Sequence, residues 1–324
     1  MLFNSIEELK AVLGGIQKTM FWATWEPFVR QAELKFIIPA IGQPLYDELT
    51  SAGQLTADQK ALLQRLRPAV AYFAYLEGLP FLATATGDAG LLLNQPANTA
   101  GLTKWMYVTL LKDLQGKSDF WLEESLQWLE THAVAFPKWV DSDAYTIDRG
   151  RFIHSATMLT SVFPAAKSSR RLYTEVRGYL LKAEDFIRPV LTDDFHDALL
   201  AKLTDSAATF TPKEAMVLKL VREAVASHAF EEAIPYMNMN ADFRIVSETD
   251  GVVNEDELEE SRLNIVLAKC RDTAAGAVAV LTKYLNANAS SLVFPEYFRS
   301  ANYRPPVAAS AKSLGDSSDK FFAM

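Results

Sequence analysis

Ala32-Glu-Leu-Lys-Phe-Ile-Ile-Pro-Ala-Ile-Gly42 returns later in the chain as Ala183-Glu-Asp-Phe-Ile-Arg-Pro-Val-Leu-Thr192. Phe36, Ile37 and Pro39 fall on Phe186, Ile187 and Pro189 at a separation of 150 residues, and the register continues through Leu45/Phe195, Asp47/Asp197 and Leu49/Leu199. Thr56-Ala-Asp-Gln59 then matches Thr211-Pro-Lys-Glu214, and Pro80 matches Pro235, both at 155. Phe136-Pro-Lys-Trp-Val with Tyr145 matches Phe294-Pro-Glu-Tyr-Phe with Tyr303, at 158. Matches that keep their order while the separation grows slowly are the mark of a duplicated unit that has since gained residues in its loops. The chain divides on this reading into unit 1 at residues 1–148, unit 2 at 149–305 and a polar tail at 306–324, expected to be disordered because it is rich in small and polar residues.

Within each unit the pattern is helical. Ser5-Ile-Glu-Glu8 predicts a capped first helix, and Phe28 to Ile38 a second that Pro39 should end. A short helix over Pro44 to Thr50 follows. The Thr56 and Thr211 boxes each open a long helix, kinked at Pro68 in unit 1 and unbroken from Ala215 to Ile234 in unit 2. Lys104–Leu114 and Ser118–Val134 read as closing helices of unit 1, and Asn254–Leu285 as that of unit 2. Between the long helices lie Gly87–Gly101 and its counterpart, where Phe243–Ser247 alternates apolar with polar before the turn pair Asp250-Gly251; one small β-hairpin per unit is expected there. The fold class predicted is therefore all-α, with one minor hairpin in each copy of a tandem duplication.

The formal charge of -8 excludes a broadly basic nucleic-acid face. The densest basic spots, Arg65/Arg67 and Arg170-Arg171, read as solvated helix faces. One cysteine, Cys270, rules out an internal disulfide and a thiolate zinc site, and its apolar surroundings predict an inert buried thiol. No stretch is long and apolar enough for a membrane helix, and the N-terminus lacks a secretion signal, so a reducing cytoplasm is the expected compartment. His132, His154, His196 and His228 show no metal-ligand spacing; no nucleophile elbow, phosphate-binding glycine loop or calcium loop occurs. Asp193-Asp194, Glu231-Glu232 and the acids from Glu255 to Glu260 read as solvated or helix-capping charges. No catalytic, cofactor or metal residue is predicted. Interaction residues are instead looked for among aromatics: Phe321-Phe322 at the chain end as a docking anchor, and Trp139 with its counterpart Tyr297.

All six tryptophans lie in unit 1, so the two copies no longer share one set of packing side chains.

The Ala32–Gly42 segment, Ala69-Val-Ala-Tyr-Phe-Ala74, Asp250-Gly251 and Phe136-Pro-Lys-Trp139 together resemble an uncharacterised prophage-encoded protein family over about residues 1–305. The first part of each unit also resembles the head-tail connector (adaptor) proteins of tailed phages. That resemblance implies a non-enzymatic assembly protein: self-associating, possible as a ring, contacting portal and tail proteins, with at most passive contact with DNA in a channel, and found in the cytoplasm during assembly and then in the virion. Known connectors are single-copy and small, and this chain departs from them by its duplication. Two other readings stand beside it: a helical adaptor or scaffolding module outside a virion, and an enzyme whose site lies at the seam between the units, where Tyr145, Asp148 and His154 could gather.

Overall fold

The computed structural model describes residues 1–14, 20–51, 53–82, 84–87, 90–93, 103–205, 208–237 and 260–306. Unit 1 comprises α1 (Ile6–Leu13), α2 (Trp22–Ala32), a π turn over Glu33–Ile37, α3 (Ile38–Ile41), α4 (Gln43–Thr50), α5 (Ala57–Leu82), the strands β1 (Thr84–Gly87) and β2 (Gly90–Leu93), α6 (Lys104–Thr131), α7 (Pro137–Val140) and α8 (Asp143–Arg149). Unit 2 repeats the order with α9 (Ala156–Val162), α10 (Arg170–Leu191), α11 (Asp193–Thr204), α12 (Pro212–Ala233), α13 (Glu260–Asn288) and α14 (Pro295–Phe298). In each unit a pair of long helices packs side by side, α5 with α6 and α12 with α13, and a further helix lies against the first of them, α2 on α5 and α10 on α12. Two separate apolar cores result: buried members of one run from Leu2 to Trp139, those of the other from Phe152 to Tyr297.

The same fastening closes both units. The N–H of Leu2 donates to Glu33 Oε1 at 2.6 Å while Arg67 Nε donates to the Leu2 carbonyl at 3.1 Å. In unit 2 the N–H of Phe152 donates to Glu184 Oε1 at 2.9 Å and Arg222 Nε to the Phe152 carbonyl at 2.8 Å. Both carboxylates are buried, and burial raises the pKa of each, that of Glu184 to about 7. The helices that follow are capped alike, by Ser5 accepting from the Glu8 N–H and Ser155 from the Met158 N–H. Gln59 and Glu214 complete reciprocal capping boxes with Thr56 and Thr211.

Prolines do not end the helices where the sequence suggests. Pro39 lies inside the continuous run from α2 to α3 and Pro189 inside α10; the breaks come three residues later, at Gly42 (φ 79°) and Thr192 (φ 76°). A proline this close to a C-terminus removes a single backbone bond, and one bond does not outweigh the packing of the turn that follows. Likewise α5 runs through Pro68 and Pro80, and α6 runs unbroken through Gly116, whose helical cost of about 1 kcal/mol is small beside its tertiary contacts. The π turn has a direct cause. Three residues separate Glu33 from Ile37, whereas two separate Glu184 from Ile187, so unit 1 carries one extra residue between its fastening and its core and absorbs it by widening the helix.

β1 and β2 form an antiparallel pair in unit 1, with Thr84 opposite Leu93. The hairpin expected at 243–251, the start of the closing helix expected at Asn254, and nearly all of the tail with Phe321 and Phe322 lie outside the described residues.

Gly42 and Thr192 occupy equivalent left-handed positions with different side chains. A Cβ on Gly42 would stand 2.8 Å from Ser142 Cβ, whereas Thr192 carries its Cβ and leaves Oγ1 buried with no hydrogen bond. Gly42→Ala is expected to cost ~2 kcal/mol or more, and Thr192→Gly to gain ~1 kcal/mol by relieving strain and a stranded hydroxyl. Chemical denaturation of the two variants checks this; a Thr192→Gly variant less stable than the parent would refute the strain.

Candidate functional site

On α6 the acids Asp119, Glu123 and Glu130 follow at intervals of four and seven, which places them along one side of the helix. That side meets the leading edge of unit 2. Glu123 Oε1 accepts from the Thr157 N–H at 2.8 Å, and Gln127 donates to the Thr157 hydroxyl. Asp119 accepts from the Ser169 hydroxyl at 2.9 Å and from Arg171 at 3.2 Å. From α8, Asp148 accepts from Arg170 at 2.7 Å and from the Tyr173 hydroxyl at 3.3 Å, with Arg177 a further 3.5 Å contact. The two units are thus joined by acids of unit 1 and bases of unit 2, and Arg170-Arg171 is the joint's basic half, not a solvated face. Arg67 likewise belongs to the fastening of unit 1, and Arg65 lies over the Trp128 ring at 5.1 Å.

Behind these pairs is a cavity lined by Glu130, Trp139, Tyr145, Asp148, Arg149 and His154, among others. Tyr145, Asp148 and His154 do gather here. Arg149 lies 3.2 Å from His154 Nε2; since a guanidinium only donates, Nε2 accepts and the imidazole is neutral with its proton on Nδ1. Burial, reinforced by Arg149 and Arg222, pushes the His154 pKa down to about 4. Burial pushes Glu130 up to about 7, against Arg149 and with Glu123. Trp139 Nε1 and Arg149 Nε are buried without a protein acceptor. The free volume of the cavity is about 20 Å³, enough for one water and far below the several hundred Å³ of a substrate pocket.

The other sites considered from sequence disperse. Trp139 and Tyr297 are both buried, and neither offers its ring to a partner: Trp139 packs edge-on to Tyr145, and the Tyr297 hydroxyl donates to Asn286 within unit 2. His196 and His228 have separate neighbours, Asp197 with the Phe152 ring and Glu231 with the Phe186 ring. Glu231 also pairs with Arg271 at 2.7 Å and Asp193 with Arg188. Cys270 is buried and its thiol is pushed up to about 11, which keeps it unreactive. No group of metal-ligating side chains occurs among the described residues, and no helix among them is long and apolar enough to cross a membrane.

The geometry of two like units agrees with comparison to known sequences. The family described as "Family of unknown function (DUF6712)" matches residues 37–149 and again 187–307. The chain belongs to that family. The two DUF6712 matches start 150 residues apart and end 158 apart, the drift that the paired motifs show. No curated protein and no solved structure matches the chain. Each DUF6712 match begins after the buried glutamate, so the fastening residues Leu2, Glu33, Phe152 and Glu184 lie upstream of the matched segments while sharing their duplication.

The seam titrates in two opposing directions. Glu130, raised from 4.5, stabilises fully below pH 4.5 and loses that contribution as pH rises to about 7. His154, lowered from 6.5, stabilises above 6.5 and loses that contribution as pH falls to about 4. Glu130→Gln is therefore expected to be more stable than the parent at pH 8, by about 2 kcal/mol, with the gain shrinking toward zero near pH 4.5. Unfolding midpoints across that range test it, and a constant difference at all pH values would contradict a half-buried, titrating Glu130.

Proposed function

We propose that this chain is a non-enzymatic assembly protein of a phage or prophage particle, a head-tail connector or head-completion component, that joins two different protein neighbours. The observation that carries the reading is that both copies keep the same internal fastening while their surfaces have diverged. Unit 1 exposes Phe21, Phe81, Trp105 and Phe120, whereas the large exposed apolar residues of unit 2 include Tyr236, Ile265 and Leu292. Scattered exposed apolar residues are ordinary on any surface; Phe81 and Tyr236 are counterparts and both exposed, whereas Phe21, Trp105 and Phe120 are exposed aromatics at positions the other copy does not repeat, which suits contact with a neighbour that the other copy does not meet. The seam supports the same reading from the other side. Its buried titratable groups invite an enzymatic interpretation, yet its cavity admits a water and no substrate.

The resemblance to connector proteins supplies the particle, the portal and tail proteins as neighbours, and self-association. Induction of a lysogen carrying the gene, followed by mass spectrometry of purified particles, should find the chain at a fixed ratio to the major capsid protein. Deleting the gene should leave heads and tails unjoined. Complete infectious particles formed without the chain would overturn the proposal.

A further inference from the structure

We propose that two copies of this chain pair through the outer face of α13, the two helices lying antiparallel about a two-fold axis level with Ala277 and Val278. The inference rests on the self-association in the reading above and deepens it by naming the surface that meets.

α13 has two faces. Cys270, Ala277, Leu281 and Leu285 recur at intervals that keep them on one side and are buried in unit 2, where the helix packs along α12. Opposite them run Ala268, Asp272, Gly276, Ala279, Lys283 and Ala287, all exposed, with the larger apolar side chains of Ile265 and Val280 exposed beside them. The face is open: a Cβ added to Gly276 would meet nothing within 4 Å.

The spacing of the outer residues is the same from either end, at four, four, three, four and four. A second helix turned end for end about the centre therefore sets Ala268 against Ala287, Asp272 against Lys283 and Gly276 against Ala279. Because the axis is two-fold, each of these contacts occurs twice. In the same register Ala275 faces Val280 and Lys269 faces Asn286, so no like charges oppose one another.

Within one chain Asp272 and Lys283 take part in no ion pair among the described residues, and about 16 Å of helix keeps them from each other. On α6, by contrast, Asp113 and Lys117 stand one turn apart and pair at 2.6 Å. A second copy thus supplies the opposite charge that each α13 lacks, and only in the antiparallel sense. At the crossing point, glycine and alanine let the helix axes approach to the short end of the usual range of about 8–10 Å. One helix per chain makes a small interface, below about 1,200 Å², so the dimer is expected to form at micromolar concentrations or above. A two-fold contact closes at two copies; a ring would need a further, unlike one.

The test is sedimentation velocity of the full chain from micromolar to near millimolar concentration. Asp272→Lys and Lys283→Asp should each weaken pairing about tenfold or more, since each reversal sets like charges together twice in a dimer. An equimolar mixture of the two variants should recover pairing, because every contact between unlike variants again joins opposite charges. Gly276→Gln should abolish pairing by wedging the helices apart, and its open surroundings leave the fold intact, which circular dichroism checks for all three variants. A mixture that stays as weak as its components overturns the antiparallel register. A parent that self-associates but is unmoved by all three substitutions overturns the α13 face and leaves the assembly role standing. A parent that stays monomeric near millimolar concentration overturns the pairing and leaves the face to a different protein, while particle composition decides the assembly role separately.

Discussion

A carboxylate buried against a main-chain N–H fixes the place of everything that follows it. Glu33 and Glu184 each hold a residue just ahead of the first helix of their unit, with Arg67 or Arg222 closing on the carbonyl of the same residue. The energetic worth of this arrangement is not obvious from the bonds. A hydrogen bond to a charged group contributes about 1.5–3 kcal/mol, yet both carboxylates are raised in pKa, so burial costs each more than its hydrogen bonds return. What the arrangement supplies is position: the N–H and C=O of one residue are both satisfied only when the long helix, the second helix and the segment ahead of the first helix meet in one register. A slipped register would strand a buried charge, at several kcal/mol. That both copies retain it, while losing common tryptophans and a common residue at the Gly42/Thr192 break, is consistent with a constraint on geometry more than on net stability.

Once the fastening and the core motif are both fixed, a residue inserted between them has nowhere to go but into the helix. Unit 1 therefore widens to a π turn between Glu33 and Ile37, and Phe36 still reaches Phe73, stacked at 4.0 Å. The left-handed break three residues past the proline is held the same way in both copies: Gly42 N–H donates to the Ile38 carbonyl at 2.8 Å and Thr192 N–H to the Arg188 carbonyl at 2.9 Å. The backbone demand is shared; the side chain that best meets it is present in one copy.

Helices, their caps and the duplication are legible in the sequence because they depend on local spacing: Thr56 to Gln59, Thr211 to Glu214, the apolar stripe of α5. The ends at Gly42 and Thr192 are less so, since a threonine at positive φ has no local signal, and Pro39 offers a misleading one. The seam is the least legible. Asp119, Glu123 and Glu130 lie on one face by simple counting, but an acidic helical face is ordinarily solvated, and only the folding of unit 2 onto it supplies Arg170 and Arg171. Trp139 and Tyr297 invert the case: their aromatic character suggests a surface anchor, whereas proline-started turns tuck both rings beneath the fold.

The seam's polar character follows from its being tethered. Two units on one chain meet at a high effective concentration, so their contact needs little apolar burial and can be made of ion pairs and hydrogen bonds that set orientation. Polar contacts of that kind define a single docking angle, because Asp148 must meet Arg170 and Tyr173 together while Asp119 meets Ser169 and Arg171. A contact between separate chains has no such tether and loses translational and rotational freedom on forming. Duplication in this fold has thus let ion pairs and hydrogen bonds fix an orientation that two untethered subunits would need apolar burial to hold.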